Sequence, residues 1–410
     1  MNKQVIYLSY DGMTDSLGRS QVLPYLVGLA RNGYQITIVS AEKPDAFAAG
    51  RAEVDKLTSG AGICWQPTTY TKHPPIISTL ADIRRMRRIA IALYRQKKFG
   101  IVHCRSYITA FVGLALKRKF GCKFVFDMRG FYADERVDGN IWNTNRFIYR
   151  AVYRFFKRKE RQFLSDSDAI ISLTNAAKNE ILNWKLPNVG SPKISVIPCC
   201  VDTELFDYHR FNQQQVDNIR KQAGIGATDF VLLYLGSVGT WYMLPDMMSF
   251  FKELLRVRPE AKFLFISRDD EQFIIGEAWR HGINANNIIV RPATRDNVPQ
   301  LAMAANASIF FIKPVWSKKA SSPTKLAELM ALGIPCVANS GVGDVDDIIR
   351  QDPTGILVKS QTADDYRQAI AKMLTLPTSN KEAARQLACK LFALTGGIDS
   401  YKTIYDKLLN

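Results

Sequence analysis

The segment 321–328, SSPTKLAE, sets hydroxyls, a proline, an amine and a carboxylate close together. Ser322 is a good N-cap and Pro323 suits the first helical position, so the spacing predicts a helix starting here. It should run to about Leu332 and stop at Gly333, with Pro335 beyond. A helix start carries unpaired N–H groups and partial positive charge, which suits a diphosphate. Lys325 adds a full charge in the first turn. Glu328 falls about 7 Å along the axis from the helix start, at roughly 1.5 Å per residue. That matches the reach from a pyrophosphate to a ribose, whose hydroxyls a carboxylate can accept from. The same residues also make an ordinary capped amphipathic helix with an exposed Lys–Glu pair, and the geometry alone leaves both readings open.

Two other stretches carry candidate chemistry. FDMRGFYADER, 126–136, concentrates Asp127, Arg129, Asp134, Glu135 and Arg136 after a strand. Arg129 and a carboxylate would sit at the mouth of a site, with Asp134 orienting or deprotonating an acceptor hydroxyl; solvated loop charges are the alternative. Near the N-terminus, SYDGMTDSLGRSQVLPYL follows the first strand. Gly12 and Gly18 permit close backbone approach, and Arg19 lies at or near a helix start. This is not GxGxxG, and no acid is placed for a dinucleotide ribose. His103, in IVHCRS, ends a strand and reads as structural or as a residue reaching the site. No DxD pair sits at a predicted strand end. A helix start and Lys325 can stabilise a leaving diphosphate, so no metal and no cofactor are expected.

These loops need a scaffold. The first half alternates apolar strands at 5–9, 35–40, 101–104, 123–127 and 169–173 with helical patterns at 21–32, 79–98, 109–120 and 145–165. The pattern restarts after Gly190-Ser191-Pro192, with strands at 230–235, 262–267, 287–291, 308–312 and 335–338. Near-continuous apolar strands between helices imply parallel sheets covered on both faces. Ligands then bind beyond the carboxyl ends of the strands. The expected fold is α/β: two Rossmann-like domains whose parallel sheets face a central cleft. The boundaries read as a basic first domain at 1–192, a second domain at 193–385, and a helical segment at 386–410 packing back toward the first.

Composition bounds the rest. The 410 residues suit two domains. Seven scattered cysteines without a CxxC pair argue for a reducing compartment and against a zinc site. No signal peptide is visible, and the most apolar window, 230–251, is broken by Gly236, Gly239, Pro245 and Asp246. Residues 1–195 hold 31 Lys+Arg against 15 Asp+Glu, while the remainder holds 24 against 23. So basic a half should face something anionic: a membrane surface, a lipid-linked phosphate or nucleic acid. In RFIYRAVYRFFKRKERQF, 146–163, arginines recur every four residues, and Ile148, Val152 and Phe156 share an apolar face read as core-directed.

At this point the sequence resembles a known family. PTKLAELMALGIPCVAN followed by SGVGDVDDII is similar to the donor motif of glycosyltransferase family 4, retaining enzymes of the GT-B fold. SVIPCCVDTELF, LYLGSVGTWY, VRPATRDNVPQLAMAANASIFFIKP and DGMTDSLGRSQVLPYLVGLARNGYQITIV resemble further family elements, in the family's order. The resemblance implies that Glu328 holds the ribose and that Ser322, Thr324 and Lys325 bind the diphosphate or the adjoining sugar. Gly236 and Ser237 would let the backbone approach the phosphates, with Arg268 as a second cation, while Arg291 and Thr294 lie where the base passes. Gly12, Gly18 and Arg19 would contribute to the donor site from the first domain. The sequence departs from the family in three places. The first glutamate of the acidic pair falls at Ala320, the loop at 236–242 lacks the Arg and Lys of many relatives, and the catalytic histidine aligns roughly with Arg129.

The expected activity is transfer of a sugar from a UDP- or GDP-sugar to a hydroxyl of a glycan or lipid-linked acceptor, with retention, in cell-surface polysaccharide or lipopolysaccharide synthesis. The expected place is the cytoplasm, peripheral on the inner face of the membrane, without nucleic acid as a partner. A sugar-nucleotide epimerase of the same fold, or a non-enzymatic anionic-surface binder, are the competing readings.

Overall fold

The computed structural model describes residues 2–74, 76–377 and 379–410. The chain divides into two compact units: Met1–Pro198 with Leu394–Asn410, and Cys199–Ala393.

The first unit opens with β1 (Gln4–Ser9), α1 (Ser16–Gln21), α2 (Leu23–Arg31), β2 (Gln35–Glu42), α3 (Pro44–Gly60), β3 (Cys64–Thr69) and α4 (Ile77–Lys97). It continues through β4 (Ile101–Arg105), α5 (Ser106–Phe120), β5 (Lys123–Asp127), α6 (Tyr132–Asp138), α7 (Phe147–Asp166), β6 (Ala169–Ser172), α8 (Asn175–Asn183) and β7 (Ile194–Val196). The strands form one parallel sheet in the order β3-β2-β1-β4-β5-β6-β7. Every residue of β4 is buried, His103 and Arg105 included, as in a strand covered on both faces.

The second unit runs α9 (Gln213–Gln222), β8 (Val231–Leu235), α10 (Leu244–Val257), β9 (Lys262–Ile266), α11 (Glu271–Arg280), β10 (Ile288–Arg291) and α12 (Val298–Ala302). Then come β11 (Ala307–Phe310), α13 (Thr324–Ala331), β12 (Cys336–Asn339), α14 (Val345–Gln351), β13 (Ile356–Val358), α15 (Ala363–Leu374) and α16 (Asn380–Phe392). Its parallel sheet has the order β10-β9-β8-β11-β12-β13. Both orders reverse direction next to the unit's first strand, as in doubly wound folds, so each unit has a switch point. These points lie between β1 and β4 and between β8 and β11.

The structure moves two boundaries. Residues 194–196 pair with β6 as β7, so the first unit extends to Pro198 rather than 192. The segment expected at 386–410 is not one piece. α16 packs on α13 and stays with the second unit; the backbone turns extended at Ala393, and α17 (Leu394–Leu409) alone joins the first.

α17 is tied into the first sheet. Tyr401 and Tyr405 are buried, and the Tyr405 hydroxyl lies 2.7 Å from Nδ1 of His103. The Tyr401 hydroxyl donates to Asp127 at 3.2 Å. At Gly28 on α2 a Cβ would overlap the Ile398 side chain, so only glycine permits this helix approach. All seven cysteines are free. Among the described residues no helix is long and apolar enough to cross a membrane.

Candidate functional site

At the switch point of the second unit, β8 is followed by Gly236, whose φ of +101° suits glycine. The loop that follows is held by Asp269. Its carboxylate accepts from Ser237 Oγ at 3.1 Å, from the Val238 amide at 2.6 Å and from Ser267 Oγ at 2.8 Å. The loop then runs along the chain after β11: the Met243 amide donates to Phe311 and the Lys313 amide to Trp241, both at 2.9 Å. This register brings Tyr242 over the start of α13.

Lys325 occupies the first turn of α13 and is only 6% exposed. Its Nζ sits 3.6 Å from the ring centre of Tyr242 and 4.0 Å from that of Tyr234. It has no hydrogen-bond partner among the described residues. A Cβ placed on Gly236 would lie 3.6 Å from Nζ, so the glycine loop directly overlies the amine. Burial pushes the Lys325 pKa well below the usual lysine range, with Glu328 and Asp269 opposing the shift. Aromatic faces attract a cation but cannot accept its protons as an oxygen does. The site therefore holds a desolvated amine beside a glycine turn and a helix start.

One turn further along, Glu328 is buried and accepts from Arg295 Nη1 at 2.7 Å. Burial raises the carboxyl above its usual range, while Arg295 and Lys325 pull it back. Arg295 itself packs over Phe206, 5.2 Å from the ring centre.

The other expected residues divide. Thr324 opens α13. Ser322 is not its N-cap: Pro323 takes that position without a side-chain bond, because Ser322 Oγ accepts from the Cys199 amide at 3.2 Å. Arg268 and Arg291 are exposed and bond backbone carbonyls, of Ala293 at 3.4 Å and Val290 at 3.0 Å. Thr294 is exposed and precedes the short 3-10 turn that carries Arg295, without a side-chain capping bond. The sequence reading missed Arg295, Asp269 and the two tyrosines. Tyr234 and Tyr242, the two tyrosines of LYLGSVGTWY, were the available signal.

In the first unit, Gly12 and Gly18 shape the loop after β1 by packing. A Cβ on Gly12 would come 2.7 Å from Glu42, and one on Gly18 would overlap the Gly12 carbonyl. Glu42 is buried and accepts from the Met13 amide at 2.8 Å, the Thr14 amide at 3.1 Å and Thr14 Oγ1 at 2.6 Å. Arg19 lies on α1 and pairs with Glu53 at 2.7 Å. Arg129 follows β5 with φ +59°, 3.7 Å from the buried carboxylate of Asp127. Asp127 also lies 3.5 Å from Nε2 of His103. Burial alone would raise the Asp127 carboxyl, yet Arg129, His103 and Arg105 hold it below its usual range. Burial keeps His103 below its ordinary pKa. His103 is thus a core residue linked to α17. Asp134 is also committed inward: Tyr153 donates to one oxygen at 2.9 Å and Lys157 to the other at 2.8 Å. It ties α6 to α7 rather than opening toward an acceptor.

Comparison with known proteins places this geometry in a class. The description Glycosyltransferase Family 4 matches residues 23–205, and Glycosyl transferases group 1 matches residues 215–388. The chain belongs to the glycosyltransferases of the family 4 type, with the GT-B fold, and is a glycosyl-transferring enzyme. It is 20% identical over 359 residues to an uncharacterized glycosyltransferase of Methanocaldococcus jannaschii, covering 85% of this chain and 82% of the relative. A glycosyltransferase from Rickettsia africae superimposes with a TM-score of 0.74 at 16% identity over 100% of both chains. Anabaena HepE, solved in complex with UDP-glucose, gives 0.70 at 13% identity over 98% of this chain and 99% of its own.

Proposed function

We propose that this enzyme transfers a sugar from a nucleoside-diphosphate sugar, UDP- or GDP-linked, to a hydroxyl of a glycan or lipid-linked acceptor, with retention, in cell-surface polysaccharide synthesis at the inner face of a membrane. The observation that carries the donor half is Lys325: a buried amine without an oxygen acceptor, under a glycine turn, at a helix start. A diphosphate supplies the missing acceptors and the opposite charge. Glu328, oriented by Arg295, then meets the ribose one turn along α13. Ser322, Thr324 and the backbone at Gly236 and Ser237 lie around the phosphates, and Arg268, Arg291 and Thr294 toward the base.

The leaving diphosphate gains a full charge from Lys325 and partial charge from the α13 N-terminus, so no metal is required for that role. In the first unit, Arg129 is the cation proposed to act in the transfer step, and Gly12, Gly18 and Arg19 are proposed as that unit's contribution to donor binding. The likeness to HepE, which was solved with UDP-glucose, supports UDP-sugars as the first donors to test. A thermal-shift panel of UDP-, GDP- and ADP-sugars, run with EDTA, tests the reading. Stabilisation by one nucleotide class that is lost in Lys325→Met is expected. No shift with any of them refutes the donor site.

A further inference from the structure

α7 has two faces that the sequence pattern merges. Glu160, Phe163 and Leu164 are buried, and Val152 and Phe156 are half-buried, so this side packs inward. Lys157 also turns inward, to Asp134 and Glu160. The opposite side exposes large apolar groups: Phe147 is 80% exposed, Ile148 64% and Phe155 47%. Ile148, expected to face the core, does not. At 3.6 residues per turn the three fall within about 100° of arc. Arg150, Arg154 and Arg158 form an exposed row beside them, within about 80°. Those three arginines make no ion pair among the described residues, because the acids nearest α7 are consumed on its inner side. From 139 to 159 the chain contains no Asp or Glu.

We infer that the outward face of α7 lies in the interface of an anionic lipid bilayer, with Phe147, Ile148 and Phe155 entering the acyl boundary and Arg150, Arg154 and Arg158 meeting the headgroup phosphates. An apolar stripe beside a cationic row is the pattern of a helix lying in the interface plane. The 20 residues of α7 span about 30 Å, enough to lie along the surface rather than touch it at a point. A nucleic acid would engage the arginines but leave the apolar stripe in water, since its backbone offers phosphates and sugars. The net charge of +16 over residues 1–195 favours the same partner by long-range attraction. This deepens the membrane part of the function proposed above and rests on it.

The test floats the full-length protein with phosphatidylglycerol-containing vesicles and with pure phosphatidylcholine vesicles. Binding to the anionic vesicles at low salt is expected, weakening as salt rises. The pair Phe147→Ser, Ile148→Ser should bind at least about tenfold more weakly. Arg150→Gln, Arg154→Gln and Arg158→Gln should each cost about fivefold. Wild type that stays with the dense fractions overturns the inference. So does a serine pair that floats like wild type, and a duplex oligonucleotide that wild type and serine pair bind equally while displacing vesicles would reassign the face to nucleic acid. The same variants are melted with and without nucleotide-sugar. A retained nucleotide shift with lost flotation isolates α7, whereas flotation without any nucleotide shift in wild type defeats the donor reading alone.

Discussion

Replacing Lys325 by methionine separates a functional lysine from a structural one. Methionine keeps the length and apolar stem, and its sulfur packs well against the rings of Tyr234 and Tyr242. The lost charge contact to a diphosphate contributes about 1.5–3 kcal/mol. At about 1.4 kcal/mol per decade, donor affinity should fall roughly 10- to 150-fold. Stability should behave differently. Below the lowered pKa of Lys325 the free enzyme's amine is charged and has no oxygen acceptor, a cost of roughly 1–3 kcal/mol, against which two cation–π contacts return about 1–2 kcal/mol each. The terms nearly cancel, so the second unit should melt within about 4 °C of wild type, the shift that about 1 kcal/mol produces in a domain of this size. The assay is paired: isothermal titration with the best nucleotide-sugar, and a melting curve without it. A variant that loses roughly 10 °C or more and binds donor as tightly as wild type would refute the argument.

Three further outcomes follow from the same geometry. Burial lowers the pKa of Lys325 in the free enzyme and a bound diphosphate raises it again, so binding takes up a proton. Donor affinity should be greatest below the lowered pKa and fall as pH rises through it; calorimetry in buffers of different ionisation heat reads the proton, which Lys325→Met should abolish. Arg295→Ala should destabilise the second unit by about 1–3 kcal/mol, less than a fully buried pair because Arg295 is partly exposed, by stranding Glu328. Glu328→Gln on that background should restore the melting temperature without restoring donor affinity. His103 stays neutral in the fold but charges in the unfolded chain near its ordinary value of about 6.5. Its contribution is therefore present above that pH and lost as pH falls below it; denaturant titrations should show this acid slope, flattened in His103→Asn.

How much of this was legible depends on what each feature asks of the chain. Strands buried on both faces read directly where, as in β1 and β8, they are near-continuous apolar runs. β3 did not, since CWQPTT mixes polar residues and a proline into an edge strand. β13 is too short, at three residues, to show a period. The α13 segment was found from capping chemistry, yet Ser322 bonds the Cys199 amide across 123 positions, which no local rule anticipates. Arg295 was missed for the same reason: its meaning comes from Glu328, 33 residues on. Ile148 shows the limit of periodicity, which gives the spacing of a face but not whether a neighbour covers it.

The return of α17 has a consequence for synthesis. His103 Nδ1 meets Tyr405 and Asp127 meets Tyr401 only once α17 is in place, and Gly28 packs there on Ile398. The half of the chain that leaves the ribosome first is therefore the last to be finished. It must wait, with its sheet partly uncovered, while Cys199–Ala393 is made and folds. Chaperone demand should accordingly fall on the leading half of the nascent chain, and a stall anywhere in the second unit leaves the first without its closing helix.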